Sequence, residues 1–261
     1  MPDPRIALVT GGTRGIGLET SRCLARQGYR VVITARPGSS ALEAALISIA
    51  SCGPAPIGVE LALDDLNAAA TLVQRVLARV DRIDLLVQNA VYQGELNLRR
   101  VTDLSLNDLE TAWRASISAP LLVIRAAHQQ MLAQSAPGRI LIIGSGAGRY
   151  DPPAAVDRGG WGFVYGASKA ALHRLAGVLR AEHPESGIVF MTVNPGVVDT
   201  PALRATLGLD AGLVQRMGVQ PASVIGEALA WLSVRAPAEQ WHGQFIDLQR
   251  LTWKGWDTGL V

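Results

Sequence analysis

Eight residues near the N-terminus constrain the fold more than any others: Thr10-Gly11-Gly12-Thr13-Arg14-Gly15-Ile16-Gly17. They follow an apolar, β-branched run from Arg5 to Thr10 and precede a helical stretch that reaches Gln27 and stops at Gly28. A buried strand, a glycine-rich turn and a helix are predicted in that order. In this context the glycines let the backbone turn sharply and approach a pyrophosphate, which rests on the free N–H groups at the helix N-terminus. The competing reading is an ordinary tight turn, and the flanking strand and helix weigh against it.

The next strand, Arg30 to Ala35, ends at Arg36. A cofactor with a bare ribose usually meets an acidic residue about here. Ala35-Arg36 stand there instead, and Arg14 lies in the glycine turn. Two guanidinium groups suit a 2′-phosphate through charge-assisted hydrogen bonds, so NADP(H) is expected in preference to NAD(H). The bland alternative is two solvated surface arginines.

Strands and helices alternate through the rest of the chain. A helix from about Ser40 to Ala50 ends in the breakers Cys52-Gly53-Pro54-Ala55-Pro56, and a strand from Ile57 to Leu61 follows. A helix from Asp65 to about Arg79 leads to a strand from Ile83 to Gln88. Ser105 to Ala133 reads as one long helical segment, with interior Pro120 expected to kink it. The strand Gly138 to Ile143 runs into Gly144-Ser145-Gly146-Ala147-Gly148, and the strand Ile188 to Val193 runs into Asn194-Pro195-Gly196. A flap over residues 201–220, a helix from Ser223 to Val234 and a strand from Gln244 to Leu248 complete the pattern. It predicts an α/β chain, residues 1–261 forming one doubly wound, Rossmann-type domain. Its sheet is expected to be mostly parallel and seven-stranded, with helices on both faces.

With 49% apolar and 18% charged residues, 261 residues can bury a large core. The net charge of +2 is spread without a basic block, so neither nucleic acid nor an anionic membrane is an expected partner. Cys23 and Cys52 have neither metal-like nor paired spacing, so no metal site and no disulfide framework is expected. No apolar run approaches the roughly 20 residues that span a bilayer. The N-terminus passes straight into the first strand, and a cytoplasmic, reducing location is the expectation.

The stretch Phe163 to Leu172 reads as a helix, and residues four apart share its face, so Tyr165 and Lys169 are neighbours. A nearby cation favours the phenolate, which makes the pair a candidate proton donor or acceptor. Taken alone, Tyr-x-x-x-Lys is more often a solvated face.

Taken together, these motifs resemble the short-chain dehydrogenase/reductase family over nearly the whole chain. Thr10-Gly11-x-x-x-Gly15-Ile16-Gly17 is similar to its cofactor motif. Ser145 followed by Tyr165-x-x-x-Lys169 resembles its catalytic set, and Asn194-Pro195-Gly196-Val197-Val198-Asp199-Thr200 resembles its nicotinamide-side loop. The resemblance implies an oxidoreductase interconverting a ketone or aldehyde and an alcohol. Tyr165 would act as acid or base, Ser145 would hold the substrate oxygen, and Lys169 would lower the phenol pKa and hold the ribose. It implies Gly11, Thr13, Arg14, Gly15, Ile16, Gly17, Arg36 and Leu63 as cofactor-binding, with Arg14 and Arg36 near the adenosine ribose. Asn89, Ala90, Tyr165, Lys169, Pro195 and Gly196 are implied as cofactor-binding too, and Thr200 and the backbone near Val198 would hold the carboxamide. A homo-dimer or homo-tetramer is also implied.

The chain departs from the family pattern in several places. Gln88-Asn89-Ala90-Val91 stands for Asn-Asn-Ala-Gly, and Ala62 aligns with an acidic residue, with Asp64 and Asp65 nearby. Ser116 aligns with the asparagine that carries a water relay to the lysine, and serine could hold that water by a shorter reach. The segment from Arg149 to Phe163 is longer than usual, and Trp161 and Phe163 are expected to line the substrate cleft; packing as loop core is the alternative. A tail at 249–261 carries Trp253 and Trp256, which are expected to pack on a neighbouring subunit or cover a cleft. These departures keep a second reading open: an NADP(H)-binding protein with weak or no turnover, acting as a redox-sensing or scaffold module.

Overall fold

The computed structural model describes residues 3–92, 94–134, 138–207 and 219–250. Its main sheet contains β1 (Ile6–Val9), β2 (Arg30–Ala35), β3 (Ile57–Glu60), β4 (Leu85–Gln88), β5 (Arg139–Ile143), β6 (Val189–Asn194) and β9 (Gln244–Asp247). The seven strands lie in the order β3-β2-β1-β4-β5-β6-β9, and every pairing is parallel. Two-residue strands β7 (Val198–Asp199) and β8 (Gln220–Pro221) form a separate parallel pair.

Side chains alternate across a strand, so each strand feeds both faces. Ala7 and Val9 enter one core with Cys23 and Leu24 of α1 (Gly15–Arg26), Ala45 and Ile49 of α2 (Ala41–Ala50), and Leu229 of α8 (Ala222–Val234). Ile6 and Leu8 enter the other core, with Leu72 of α3 (Leu66–Leu77), Ile124 of α5 (Ala119–Ala133) and Leu172 of α6 (Phe163–Glu182). Helices therefore cover both faces, as a parallel sheet requires. Two side-chain devices start helices here. Asp65 caps α3 by accepting from the amides of Asn67 and Ala68, and Ser105 and Asp108 form a capping box on α4 (Leu106–Trp113).

One sequence expectation is corrected. The segment from Ser105 to Ala133 is not one helix kinked at Pro120. It is α4, then a π-helical turn from Arg114 to Ser118, then α5. Pro120 occupies the second position of α5, where its missing N–H is tolerated. Residues 201–220 begin as α7 (Pro201–Leu207) and end in β8, while 208–218 lie outside the described residues. A short helix, α9 (Ala238–Trp241), precedes β9. Trp253, Trp256 and the rest of 251–261 also lie outside the described residues. Among those described, no helix is long and apolar enough to cross a membrane.

Candidate active site

The chain builds the sheet outward from β1 to β3, then crosses back to β4 on the other side of β1. The crevice at this reversal, beyond the carboxyl ends of the strands, is where open α/β sheets take ligands. The glycine turn after β1 and the Asn89-Ala90 turn after β4 meet there. The side-chain amide of Asn89 donates to the carbonyl oxygens of Thr10 (3.0 Å) and Gly11 (3.1 Å). In return, the Thr10 hydroxyl oxygen accepts from the backbone amides of Asn89 and Ala90, both at 2.9 Å. Thr34 of β2 adds a third anchor, its Oγ1 accepting from the Gly11 amide at 3.0 Å. Asn89 thus braces the turn, a role that spacing alone does not single out for Thr10 or Thr34.

The turn itself needs glycine. Gly11 and Gly15 have φ of +68° and +54°, the left-handed region, and a Cβ on Gly17 would lie 2.3 Å from the Gly11 carbonyl oxygen. Helix α1 then begins with no side-chain cap and no acidic residue in its first turn. A helix N-terminus left open in this way suits an anionic phosphate, so the cradle fits a dinucleotide. Thr200 closes it from the far side, since a Cβ on Gly15 would lie 3.1 Å from Thr200 Cγ2. The Thr200 hydroxyl also starts α7 by accepting from the amide of Leu203 at 3.2 Å. Arg36 is exposed just past β2. Leu63 is partly buried and packs against the core on the α3 side, and Asp65 is occupied with capping α3. Val198 is buried, and Gln220 donates its amide to the Val197 carbonyl beside it.

Ser145 follows β5, and its loop is pinned amide by amide. The Ser145 N–H donates to His173 Nε2 (3.2 Å), the Gly146 N–H to Asn194 Oδ1 (3.0 Å), and the Ala147 N–H to Ser145 Oγ (3.2 Å). The Ser145 side chain hydrogen-bonds the Tyr165 phenol, which pulls the phenol pKa down, while burial pushes it up by more. The net direction is upward.

Tyr165 and Lys169 share one face of α6, with the Lys169 ammonium 5.9 Å from the phenol ring centroid. Lys169 is buried and donates to the Ile143 carbonyl oxygen at 3.0 Å, and burial lowers its pKa to about 8. The phenol is therefore shifted by burial and by Ser145; the expected lowering by Lys169 is not among the causes that act on it here. Ser116 is buried in the π turn, which packs against α6. Pro120 has no N–H to return to the Ser116 carbonyl in the α register.

The segment from Arg149 to Phe163 is fastened to the chain after β4. Arg100 pairs with Asp157 at 2.7 Å, and the Gly162 amide donates to the Asn97 carbonyl at 2.8 Å. Trp161 places its indole N–H edge against Gly166, one residue beyond Tyr165. Phe163 starts α6 and is 50% exposed, so it is not loop core. At the other rim the Gln249 side chain lies against Gly196, and Arg250 stacks on the Tyr150 ring with 5.8 Å to its centroid.

A sequence profile described as short chain dehydrogenase matches residues 5–207. A sorbitol dehydrogenase from Cereibacter sphaeroides is 32% identical over 200 residues, 76% of this chain and 72% of that protein. A 3-oxoacyl-(acyl-carrier-protein) reductase from Synechocystis sp. is 30% identical over 196 residues, 75% of each. Among solved structures, a 3-oxoacyl-(acyl-carrier-protein) reductase from Agrobacterium tumefaciens C58 with NADP bound has a TM-score of 0.79 and 26% identity, covering 94% of this chain and 92% of that one. The matched span contains the glycine cradle, the Ser145 loop and the Tyr165–Lys169 face, and the chain belongs to the short-chain dehydrogenase family of oxidoreductases.

Proposed function

We propose that this protein is an NADP(H)-dependent oxidoreductase that interconverts a ketone or aldehyde and an alcohol. The observation that carries the reading is the placement of Ser145 where its hydroxyl lowers the Tyr165 phenol pKa, with buried Lys169 on the same helix face as the phenol. The cofactor, when bound, supplies or accepts the hydride. In the reducing direction Tyr165 delivers its proton to the carbonyl oxygen while the Ser145 hydroxyl turns from the phenol to donate to the same oxygen. In oxidation Tyr165 takes the hydroxyl proton instead. Lys169, held on the Ile143 carbonyl, would hold the ribose with its remaining N–H donors. Ser116, buried in the π turn that packs against α6, would hold the relay water with its hydroxyl. Positioned acid–base catalysis of this kind contributes on the order of 10² to 10⁴ in rate.

Arg14 and Arg36 favour the 2′-phosphate, and the NADP-bound neighbour supports that preference. The relatives' names suggest two substrate families to try first, polyols and 3-oxoacyl esters.

The test follows reduced-nicotinamide absorbance with ketones, aldehydes and ethyl acetoacetate in one direction, and with sorbitol and galactitol in the other. Turnover in wild type that falls about 10²-fold or more in Tyr165→Phe, with NADPH binding retained, is the expected result. Near wild-type turnover in Tyr165→Phe overturns the assignment. For the cofactor, Arg36→Ala is expected to weaken NADPH about 10- to 100-fold and leave NADH unchanged, since a charge-assisted hydrogen bond is worth about 1.5–3 kcal/mol. Equal losses for both cofactors remove the 2′-phosphate argument. NADPH binding without reduction of any carbonyl favours the redox-sensing or scaffold reading.

A further inference from the structure

Helix α6 carries a third polar side chain on the face of Tyr165 and Lys169. His173 lies four residues beyond Lys169 and eight beyond Tyr165, and it is 7% exposed. Its Nε2 accepts the backbone N–H of Ser145 at 3.2 Å. The ring fills the hollow beneath that loop. A Cβ on Gly144 would lie 2.6 Å from His173 Nε2, and one on Gly148 would lie 2.7 Å from Cε1. On its other side the ring meets Phe245 of β9, with centroids 4.6 Å apart, and the Arg149 guanidinium covers that phenyl ring in turn.

We propose that His173 is a positioning residue for the oxidoreductase reaction: its neutral ring, through Nε2, fixes the backbone of Ser145 and so aims the serine hydroxyl at Tyr165 and the substrate oxygen. The proposal rests on the function assigned above to Ser145 and Tyr165. The same helix face then does three jobs in succession: proton transfer from Tyr165, ribose binding by Lys169, and support of the serine by His173. An acceptor at Nε2 requires the ring to be uncharged, with its proton on Nδ1. Burial, then the positive charges of Lys169, Arg174 and Arg149, lowers its pKa to about 4, so the ring stays neutral across ordinary working pH. Gly144 belongs to the same device, because a side chain there would displace the ring that holds the loop, whereas a side chain at Gly148 would also meet the α6 backbone at Ala170 N and Lys169 C, both at 2.6 Å.

The experiment has one part that needs turnover and one that does not. His173→Phe keeps the ring's bulk against Phe245 and removes the acceptor; His173→Gln restores an acceptor at a similar reach. With NADPH and whichever carbonyl of the panel the wild type reduces, kcat in His173→Phe is expected to fall about 10- to 100-fold, the scale of a displaced catalytic group. KM for the carbonyl and Kd for NADPH should stay within about twofold, and His173→Gln should recover most of kcat, because only orientation at the reacting atoms has changed. Independently of any substrate, long-range ¹H–¹⁵N spectra of the wild-type protein should show His173 with an unprotonated Nε2, and the Ser145 amide should resist hydrogen exchange. A His173→Phe protein that is folded and retains wild-type kcat overturns the proposal. So does a protonated Nε2 in the wild type, which remains decisive even if His173→Phe fails to fold. If the wild type reduces no carbonyl while Nε2 is unprotonated and the amide protected, the functional reading fails and the support of the Ser145 loop by His173 stands.

Discussion

Asn194 Oδ1 accepts the backbone amide of Gly146 at 3.0 Å, tying the loop after β6 to the loop after β5. The same oxygen accepts from the Gly196 amide at 3.1 Å. One buried carboxamide thereby sets the distance between the Ser145 loop and the Pro195-Gly196 loop. Asn194→Leu leaves both amides without this acceptor, each costing about 1–3 kcal/mol if it stays dry. Urea unfolding is expected to register a loss of about 2 kcal/mol or more, and NADPH binding to weaken as well. A variant with unchanged midpoint and affinity contradicts the brace.

Lys169 gives a pH prediction with a definite sign. Its folded-state pKa of about 8 lies below the ordinary 10.5. Between those values the unfolded chain holds a proton that the folded chain has released, so this group makes stability rise with pH across that window. Below about pH 8 the cost of burying the charge is present in full. Lys169→Met is therefore expected to melt higher than wild type at pH 7, by about 2–4 °C for each kcal/mol relieved. The gap should close as pH climbs toward 10, while turnover is lost throughout. Melting well below wild type at pH 7 contradicts this account.

Ser145 pulls the Tyr165 phenol pKa down against burial. Removing the hydroxyl in Ser145→Ala leaves burial unopposed. The pH profile for alcohol oxidation, which needs the phenolate, should then shift its rising limb to higher pH, with kcat down by about 10²-fold. A profile that keeps its wild-type midpoint contradicts the role of this hydrogen bond.

Gly17 is held to glycine by close approach. In Gly17→Ala the new methyl meets the Gly11 carbonyl oxygen at 2.3 Å and the Asn89 amide nitrogen at 2.6 Å, both parts of the brace around the turn. Overpacking of this kind costs about 1–3 kcal/mol. Calorimetry should show a lower melting temperature, and NADPH binding should weaken because the cradle opens. Wild-type affinity in a folded Gly17→Ala protein contradicts the fit of the cradle.

The alternation of apolar runs with helical stretches made the sheet and both helical layers legible in the sequence, because strand and helix periods differ and Gly and Pro punctuate them. The glycine turn and the Tyr165–Lys169 face were legible for the same local reason. Other features depend on contacts between residues far apart in sequence. Asn89 reaches Thr10 across 79 positions and Asn194 reaches Gly146 across 48, and no spacing rule encodes either pairing. The π turn was misread as a kink at Pro120 because proline reports where an N–H is missing, not how the preceding turn accommodates the loss. The signal for His173 was present in the i, i+4, i+8 spacing from Tyr165, but histidine on a helix face does not reveal what its ring will accept.

Strand β9 is the last described strand, and it sits directly against the machinery assembled before it. The Leu248 amide donates to the Asn194 carbonyl, the Gly243 amide donates to the Phe190 carbonyl, and Phe245 backs His173. Every motif that marks this family therefore leaves the ribosome before the strand that seats it. A nascent chain stalled ahead of Gln244 holds Ser145, Tyr165 and Lys169 without the wall behind them. Competence waits for β9, and truncations ahead of Gln244 that spare all the signature residues should still be silent.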